Sequence, residues 1–406
     1  MQRLLSGLYD SFTGLSKEVW WLSLITLINR AGTMVIPFLS LYLTKGLGYT
    51  LSDVGWVMTS FGLGSVVGSW LGGKLTDRFG AYKIMVFSLM LSGVFFVLLQ
   101  YLESFWFMCG GVFLVLAAAD LFRPAMFVAL KAYSKPQNKT RSVTLIRLAI
   151  NLGFSMGPVA GGFIIATIGY DGLFWIDGIT CFLAAVLLLK VLNPKRAVVL
   201  DSEEASFPIS AYSDKNFWIF FAAMALFGFT FLQYFSTLPL YYKDIHLMSE
   251  QEIGLLLGFN GLIIFILEMP LIKYCETRSP SKMVYIIWGS VLLALSFIVL
   301  NLTSWIGVLL IGMILMSVGE MLVFPFSNAW AMERSKRGRS GQYMALYTIA
   351  FSISHIFGHN SGMQLIGAFG FEFTWNVMTI LTIVCVALVM LLRYNLRKEN
   401  PEVRNP

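Results

Sequence analysis

The chain is poor in charge and in the residues that build catalytic or metal sites. Only 13% of its 406 residues are charged, whereas soluble domains have about 25%. Its four cysteines lie in or beside apolar runs without metal-ligand spacing, so we interpret them as packing residues. The phosphate-binding pattern G-x-x-x-x-G-K-[ST] is absent, which excludes a self-contained ATP motor. We expect neither an enzyme nor a bound cofactor.

What the chain has in abundance is apolar sequence. Hydrophobic residues make up 57% of it, and its mean hydropathy is +0.74. Apolar runs of 18 or more residues follow one another from end to end, and runs of that length cross a bilayer as helices. The pattern predicts an all-α membrane protein with twelve transmembrane helices. Because the N-terminus lacks a small-residue cleavage site, we expect the first span to be retained.

The basic residues are distributed unevenly between the two sides of these spans. Of the 29 lysines and arginines, only Lys45 and Lys243 fall in the connections on the side away from the termini. Cytoplasmic connections carry the excess of positive charge, so both termini are predicted to be cytoplasmic and the protein to lie in the plasma (cytoplasmic, inner) membrane. This asymmetry also accounts for the net charge of +7 without nucleic acid as a partner.

The second half of the sequence repeats the first with a shift of 199 positions. The segment 38–55 falls on 237–254, and Lys83 falls on Lys282. Parallel repeats of six spans predict two pseudo-symmetric bundles with a substrate site between them near the middle of the membrane. The predicted domains are residues 1–192, a cytoplasmic linker at 193–214 and residues 215–406.

Two glycine-containing motifs stand out in the first half of the sequence. The polar island "GGKLTDRFGAYK" at 72–83 is similar to the G-x-L-a-D-R-x-G-R-K loop that joins spans two and three in the major facilitator superfamily, although Ala81 replaces the usual arginine. The segment "GFSMGPVAGG" matches the G-x-x-x-G-P-x-x-G-G signature of the family's antiporters. The resemblance covers nearly the whole chain and implies transport by alternating access.

Glycines, an acid and an arginine in these motifs are candidates for gating. Glycine lets helices approach closely, and an aspartate can accept hydrogen bonds from backbone amides or from an arginine. A latch of this kind would hold the bundles together on the cytoplasmic side; ordinary loop charges are the alternative. The predicted gating residues are Gly73, Asp77, Arg78, Gly80, Gly157, Pro158, Gly161 and Gly162.

Several charged residues fall inside the predicted spans, where an ionised side chain costs at least ~2.5–3.5 kcal/mol. Asp120 and Arg123 lie three apart on span four, and Arg147 and Asn151 lie four apart on span five, so each pair shares a helix face. With Arg30 on span one, the cluster has excess positive charge that would attract an anionic group or keep Asp120 ionised. A structural ion-pair network is the alternative.

The second half carries a lone acid, Glu320, near the middle of span ten. Desolvation favours the protonated form of a buried carboxyl, so Glu320 is predicted to be the proton-coupling site, with Asp120 as a second. A glutamate at this position also resembles the proton site of some drug antiporters and peptide transporters. His355 and His359 lie one turn apart on span eleven, but a metal site would need a third ligand and none is evident. We therefore interpret His355 as cavity lining. The predicted substrate cavity comprises Arg30, Arg123, Arg147, Asn151, Gln233, Tyr234, Phe324, Asn328 and His355.

These observations favour a proton-coupled exporter of amphipathic or drug-like small molecules, acting as a monomer and drawing its energy from the proton gradient. The alternative is an importer or facilitator of a carboxylate-bearing solute such as a small peptide, which the arginines favour. Thr26 and Asn29, however, stand where the E-x-x-E-R motif of peptide transporters has acids. A third possibility is a receptor or scaffold that does not transport. A truncated repeat or a long soluble domain would favour it, and the sequence has neither.

Overall fold

The computed structural model describes residues 15–135, 139–194, 210–278, 281–303, 305–335, 337 and 340–399. Every regular element in these ranges is helical, as expected for a chain in hydrocarbon, where a helix satisfies its backbone groups internally. The helices are α1 (Lys17–Ala31), α2 (Val35–Leu41), α3 (Leu51–Phe79), α4 (Ala81–Leu99), α5 (Phe105–Ala119), α6 (Phe122–Tyr133), α7 (Lys139–Ile168), α8 (Asp171–Val191), α9 (Lys215–Phe231), α10 (Gln233–Ser236), α11 (Leu238–Asp244), α12 (Glu250–Thr277), α13 (Lys282–Leu302), α14 (Gly307–Ser335) and α15 (Ser340–Glu399).

The described residues form eleven continuous segments that are long and apolar enough to span a membrane. The last of them, in α15, is interrupted at Gly370, whose φ of 81° and ψ of 179° are not helical. Only glycine adopts this conformation readily, so Gly370 divides α15 into two spans. With that division the segments agree with the twelve predicted from the apolar runs.

Two spans are broken at equivalent places in the repeat. The first span consists of α1, α2 and a π-helix at Tyr42–Gly46, and the seventh consists of α9, α10 and α11. The 199-residue shift brings the end of α1 at Ala31 to within one residue of the end of α9 at Phe231. Interrupted spans in matching positions of two halves indicate a transport site.

The chain divides into two compact units. The first comprises residues 1–47, 60–200 and 249–265, and the second comprises 48–59, 201–248 and 266–406. Helix α12 therefore contributes its first half to one unit and its remainder to the other. The two-bundle boundaries at 192 and 215 stay a prediction, and residues 195–209 of the predicted linker lie outside the described part of the chain.

Close helix contacts stabilise the first unit. Apolar residues from α1, α4, α6, α7 and α8 form its buried core, which includes Leu22, Met85 and Leu188. On α3, a Cβ atom at Gly64 or Gly68 would overlap backbone oxygens of α5. Between helices in a membrane, such packing replaces the hydrophobic driving force, and small residues permit it. Large apolar side chains such as Phe107 and Leu183 face outward.

Candidate transport site

The break in the first span is held by a buried acid on another helix. Asp177 of α8 has no exposed surface, and its carboxylate accepts hydrogen bonds from the first backbone amides of α2. The N–H of Met34 lies 3.0 Å from each oxygen, and that of Val35 lies 2.9 Å from Oδ2. Asp177 thus satisfies amides that the break leaves without helical acceptors.

Next to this break lies a group of polar and charged side chains from α1, α3 and α5–α6. Arg30 occupies the last turn of α1, and the charges of Asp120 and Arg123 act on it. The hydroxyl of Ser65 donates a hydrogen bond to Oδ2 of Asp120. The Arg30 guanidinium carbon lies 5.5 Å from the centre of the Phe154 ring, within the range of a cation–π contact. The structure thereby brings together three of the predicted charged residues, Arg30, Asp120 and Arg123.

The fifth span, α7, carries the remaining predicted residues of the first half. Arg147 and Asn151 are half-buried one turn apart, and each has a polar or electrostatic partner. The antiporter signature begins two residues after Asn151, at position 153, and packs against the broken span. A Cβ atom at Gly157 would lie 3.2 Å from the carbonyl oxygen of Ala31, and one at Gly161 would lie 3.0 Å from the Phe38 ring. The signature glycines let α7 approach both sides of the break.

The other two predicted gating residues of the signature, Pro158 and Gly162, lie within or beside a contact with α12. Pro158 stands inside α7, and a Cβ atom at Gly162 would lie 2.5 Å from the carbonyl oxygen of Glu250 in the first turn of α12. The hydroxyl of Ser155 donates a hydrogen bond of 2.8 Å to the carbonyl oxygen of Gly258. Helix α7 therefore contacts both α2 and the first half of α12, all within the first unit.

The second unit contains a cluster of aromatic rings centred on Phe324 of α14. Its ring centre lies 5.1 Å from that of Phe231, 5.3 Å from that of Phe351 and 5.7 Å from that of Phe227. Two of these contacts are edge-on, a geometry in which the ring quadrupoles attract. Phe231 is the last residue of α9, so the cluster adjoins the break in the seventh span.

Glu320 lies one turn before Phe324 on the same face of α14, and Asn328 lies one turn after it. Glu320 is half-buried and has an interaction partner, whereas Asn328 is exposed. Next to Asn328 in sequence, the hydroxyl group of Ser327 forms a hydrogen bond of 2.9 Å with that of Tyr347. A carboxyl, an aromatic ring and an amide therefore follow one another, one turn apart, along this face of α14.

The two histidines of α15 lie side by side. Their ring centres are 5.6 Å apart; His355 is half-buried and His359 is 3% exposed. Within the described ranges no three histidine, cysteine or acidic side chains are grouped as a metal would require. His355 shares α15 with Phe351, one turn earlier, and so adjoins the aromatic cluster.

Gln233 and Tyr234 do not line a cavity, contrary to the prediction, because neither side chain has any exposed surface. The Gln233 amide donates hydrogen bonds to the carbonyl oxygens of Phe229 and Gly358, at 3.0 and 2.8 Å. The Tyr234 hydroxyl donates to the carbonyl oxygen of Gly312 at 3.2 Å. Both residues lie in the short helix α10, where their polar groups bind the broken span to α14 and α15.

The predicted gating loop joins α3 to α4 in a tight turn at Gly80, whose φ is 87°. A Cβ atom at Gly73 would meet no other atom within 4 Å, so this glycine is not required for packing in this structure. Arg78 is exposed, with its guanidinium carbon 5.2 Å from the centre of the Phe79 ring. The side chain of Asp77 lies outside the described part, so its latch function stays a prediction.

A charged cluster that sequence reasoning missed joins the ends of α9, α14 and α15. Arg334 is 7% exposed and donates hydrogen bonds to both oxygens of Asp214, at 2.7 and 2.9 Å. It also donates to Glu399 at 2.7 Å, and the Tyr343 hydroxyl donates to Asp214 at 3.1 Å. Arg337 reaches Glu399 from the exposed side at 3.0 Å. Residues more than 60 positions apart are thus joined through one guanidinium.

Two spans broken at matching positions, each beside polar side chains inside the membrane, define a multi-pass membrane protein built as a secondary transporter. The family model described as Major Facilitator Superfamily matches residues 22–359 and 248–406, and the chain belongs to this family. Members of the family are transporters and not enzymes, and they work without a cofactor.

Relatives differ in what their names say they transport. A Na(+), Li(+), K(+)/H(+) antiporter of Planococcus maritimus is 22% identical over 384 residues, covering 86% of this chain and 89% of its own. The quinolone resistance protein NorA of Staphylococcus aureus is 30% identical over 173 residues, covering 40% and 42%. A POT family transporter, solved in complex with a thioalcohol-conjugated peptide, superposes with a TM-score of 0.78 at 15% identity, covering 95% and 97%. This structural likeness bears on the fold alone.

Proposed function

We propose that this transporter exports amphipathic or drug-like organic cations in exchange for protons, and that Glu320 couples the two movements. The observation that carries the proposal is the carboxyl of Glu320 one turn from a cluster of four phenylalanine rings. Aromatic faces attract organic cations, and a carboxylate supplies the opposite charge. A proton and a cationic substrate would then compete for the same carboxyl, which is the requirement for exchange.

The first unit supplies the conformational part of the proposal. Alternating access needs helices that separate and rejoin, and α7 contacts the broken first span through its glycines. The match to the antiporter signature, together with the relatives named as an ion/proton antiporter and a quinolone resistance protein, supports export. On the distribution of its basic residues, we place the protein in the plasma membrane with both termini in the cytoplasm.

The second candidate is an importer of a carboxylate-bearing solute, favoured by Arg30 and Arg123 beside Asp120. Thr26 and Asn29 count against it, because they stand where peptide transporters have acids and both are buried in other contacts. The Thr26 hydroxyl donates to the carbonyl oxygen of Leu22 at 2.7 Å, and the Asn29 amide lies 3.9 Å from the sulfur of Cys181.

Transport in liposomes separates the two candidates. We expect liposomes with an acidic lumen that contain the purified chain to accumulate ethidium, an aromatic cation, while their lumen becomes more alkaline. Protein-free liposomes, and liposomes without a pH gradient, control for leakage. Accumulation of a dipeptide from an acidic exterior, without ethidium transport, would instead identify the importer.

The contact between α7 and α12 gives a test of alternating access. We expect Gly254→Ala to push these helices apart, because a Cβ atom there clashes with the carbonyl oxygen of Pro158, a backbone atom that cannot turn aside. Overpacking of this kind costs about 1–3 kcal/mol, so the balance of conformers should shift by about five- to 150-fold. The readout is maleimide labelling after Ser155→Cys, at a position that is 8% exposed.

Gly110→Ala is the matched control, since a Cβ atom at Gly110 meets no other atom within 4 Å. Labelling should rise in Gly254→Ala and stay unchanged in the control, and ethidium transport should fall only in the former. Equal labelling and equal transport in both variants would show that α7 and α12 do not separate during transport.

A further inference from the structure

The outward face of α4 carries an apolar groove that the proposed transport mechanism does not use. Its volume is about 470 Å³. The groove is lined by Tyr82, Lys83, Val86, Phe87, Met90, Leu91, Val94 and, from α8, Leu189. The residues of α4 recur every three to four positions, so they form one continuous strip along the helix. Five of the eight lining side chains are exposed, as on a surface that meets lipid: Lys83, Phe87, Met90, Val94 and Leu189.

The groove has the length of one membrane leaflet. At 1.5 Å per residue, the strip from Lys83 to Val94 rises by about 16 Å along α4. Half of the hydrocarbon core of a bilayer is about 15 Å thick. Lys83 lies in the first turn of α4, at the membrane surface, and Val94 lies in the later part of the same helix, inside the membrane. A groove with a polar end at the surface and an apolar end inside the membrane has the polarity of a phospholipid.

The charge at the polar end distinguishes this place from its counterpart in the repeat. The 199-residue shift relates Lys83 to Lys282, which forms an ion pair of 2.5 Å with Glu333 of α14. The same shift places Ser134 where Glu333 stands, and the Ser134 hydroxyl instead donates to the carbonyl oxygen of Leu130. The acid that neutralises the lysine in the second half is therefore replaced by a neutral residue in the first.

We propose that this groove binds one anionic glycerophospholipid, with an acyl chain along α4 and the phosphate on the ammonium group of Lys83. Lys190, which follows the lining residue Leu189 and is also exposed, adds a second positive charge from α8. Each lysine near a membrane surface strengthens binding to anionic lipid by about five-fold. The site recognises the headgroup by charge and the chain by shape, and it requires neither the transport cycle nor a particular substrate.

Native mass spectrometry of the full-length chain in detergent tests the site, with phosphatidylglycerol and phosphatidylcholine of identical acyl chains as probes. We expect tighter binding of phosphatidylglycerol by the unaltered protein. Lys83→Gln should reduce that preference about five-fold, whereas Lys83→Arg should retain it. Lys282→Gln is the matched control, because the charge of Lys282 is already paired, and it should leave the preference unchanged. Met90→Trp should fill the groove and weaken the binding of both lipids.

An unchanged preference for phosphatidylglycerol in Lys83→Gln would overturn the proposal, as would unchanged lipid binding in Met90→Trp. Loss of a dimer in Met90→Trp, with lipid binding intact, would show that a second copy of the chain occupies the groove instead. Both altered side chains are exposed, and equal thermal unfolding midpoints would verify that the variants are folded. Because the assay measures lipid alone, its result is independent of whether the chain exports cations.

Discussion

Glu320→Gln is expected to reduce ethidium uptake driven by a pH gradient to the level of protein-free liposomes. A glutamine resembles the protonated acid permanently, so it can neither release a proton to the other side nor attract a cation by charge. Uptake is followed in liposomes with an acidic lumen, and proton release upon ethidium addition is followed in detergent. Both signals should vanish, while exchange of ethidium for ethidium without a gradient persists.

Glu372→Gln provides the matched control, because Glu372 is an exposed glutamate of the same chain. It should transport ethidium at the unaltered rate. If Glu320 only forms a hydrogen bond within its unit, the amide introduced by Glu320→Gln would keep that bond, and the variant would accumulate ethidium against the gradient as before. Such accumulation would refute Glu320 as the coupling site and leave Asp120 as the predicted alternative.

Arg334→Ala is expected to lower the free energy of unfolding by about 3–5 kcal/mol, the usual cost of leaving a buried charge without its partner. The variant would leave the carboxylate of Asp214, 9% exposed, facing an empty space, and would remove one of the partners of Glu399, which would keep Arg337. Unfolding of the detergent-solubilised protein measures the loss. Arg337→Ala removes an exposed arginine from the same cluster and should cost at most about 1 kcal/mol.

The effect of Arg334 should depend on pH in a defined direction. Burial alone would raise the pKa of Asp214, but the hydrogen bonds and the charge of Arg334 outweigh it, so this pKa lies below its usual range. A carboxyl whose pKa is lowered by folding stabilises the folded state at pH values above its ordinary pKa, which is about 4 for an aspartate. This stabilisation is lost as the pH falls below that value. The difference between Arg334→Ala and the unaltered chain should therefore shrink below about pH 4. A constant difference from pH 7 to pH 3 would contradict this origin.

The spans and the repeat could be predicted from the sequence because a membrane leaves the chain few choices. Apolar runs must become helices there, and equal spacing in the two halves reveals their pseudo-symmetry. The breaks after Ala31 and Phe231 were not predicted, because each lies within a single predicted span and depends on hydrogen bonds with other helices. Gln233 was assigned to a cavity for the same reason: its acceptors, Phe229 and Gly358, become visible only in the fold.

The sequence predicted several residues of the candidate site, but it predicted less well how they are arranged in space. Charged residues in apolar runs could be identified from sequence, and the structure brings Arg30 and Asp120 together. Asp177 was missed although it carried the same signal, an acid within the apolar run "FWIDGIT". The pairing of Arg334 with Asp214 had no such signal, since both lie at helix ends among many charged residues that look like ordinary loop charges.

The hydrogen bonds of Asp177 have a consequence for the order in which the protein is made. The amides of Met34 and Val35 leave the ribosome more than 140 residues before the carboxylate that accepts from them. Until that carboxyl has been made, these amides at the break lack the acceptor that they have in the finished fold. The first span to be synthesised therefore reaches its final form only after the sixth has been made. A ribosome stalled before residue 177 would hold a first span that is still unfinished.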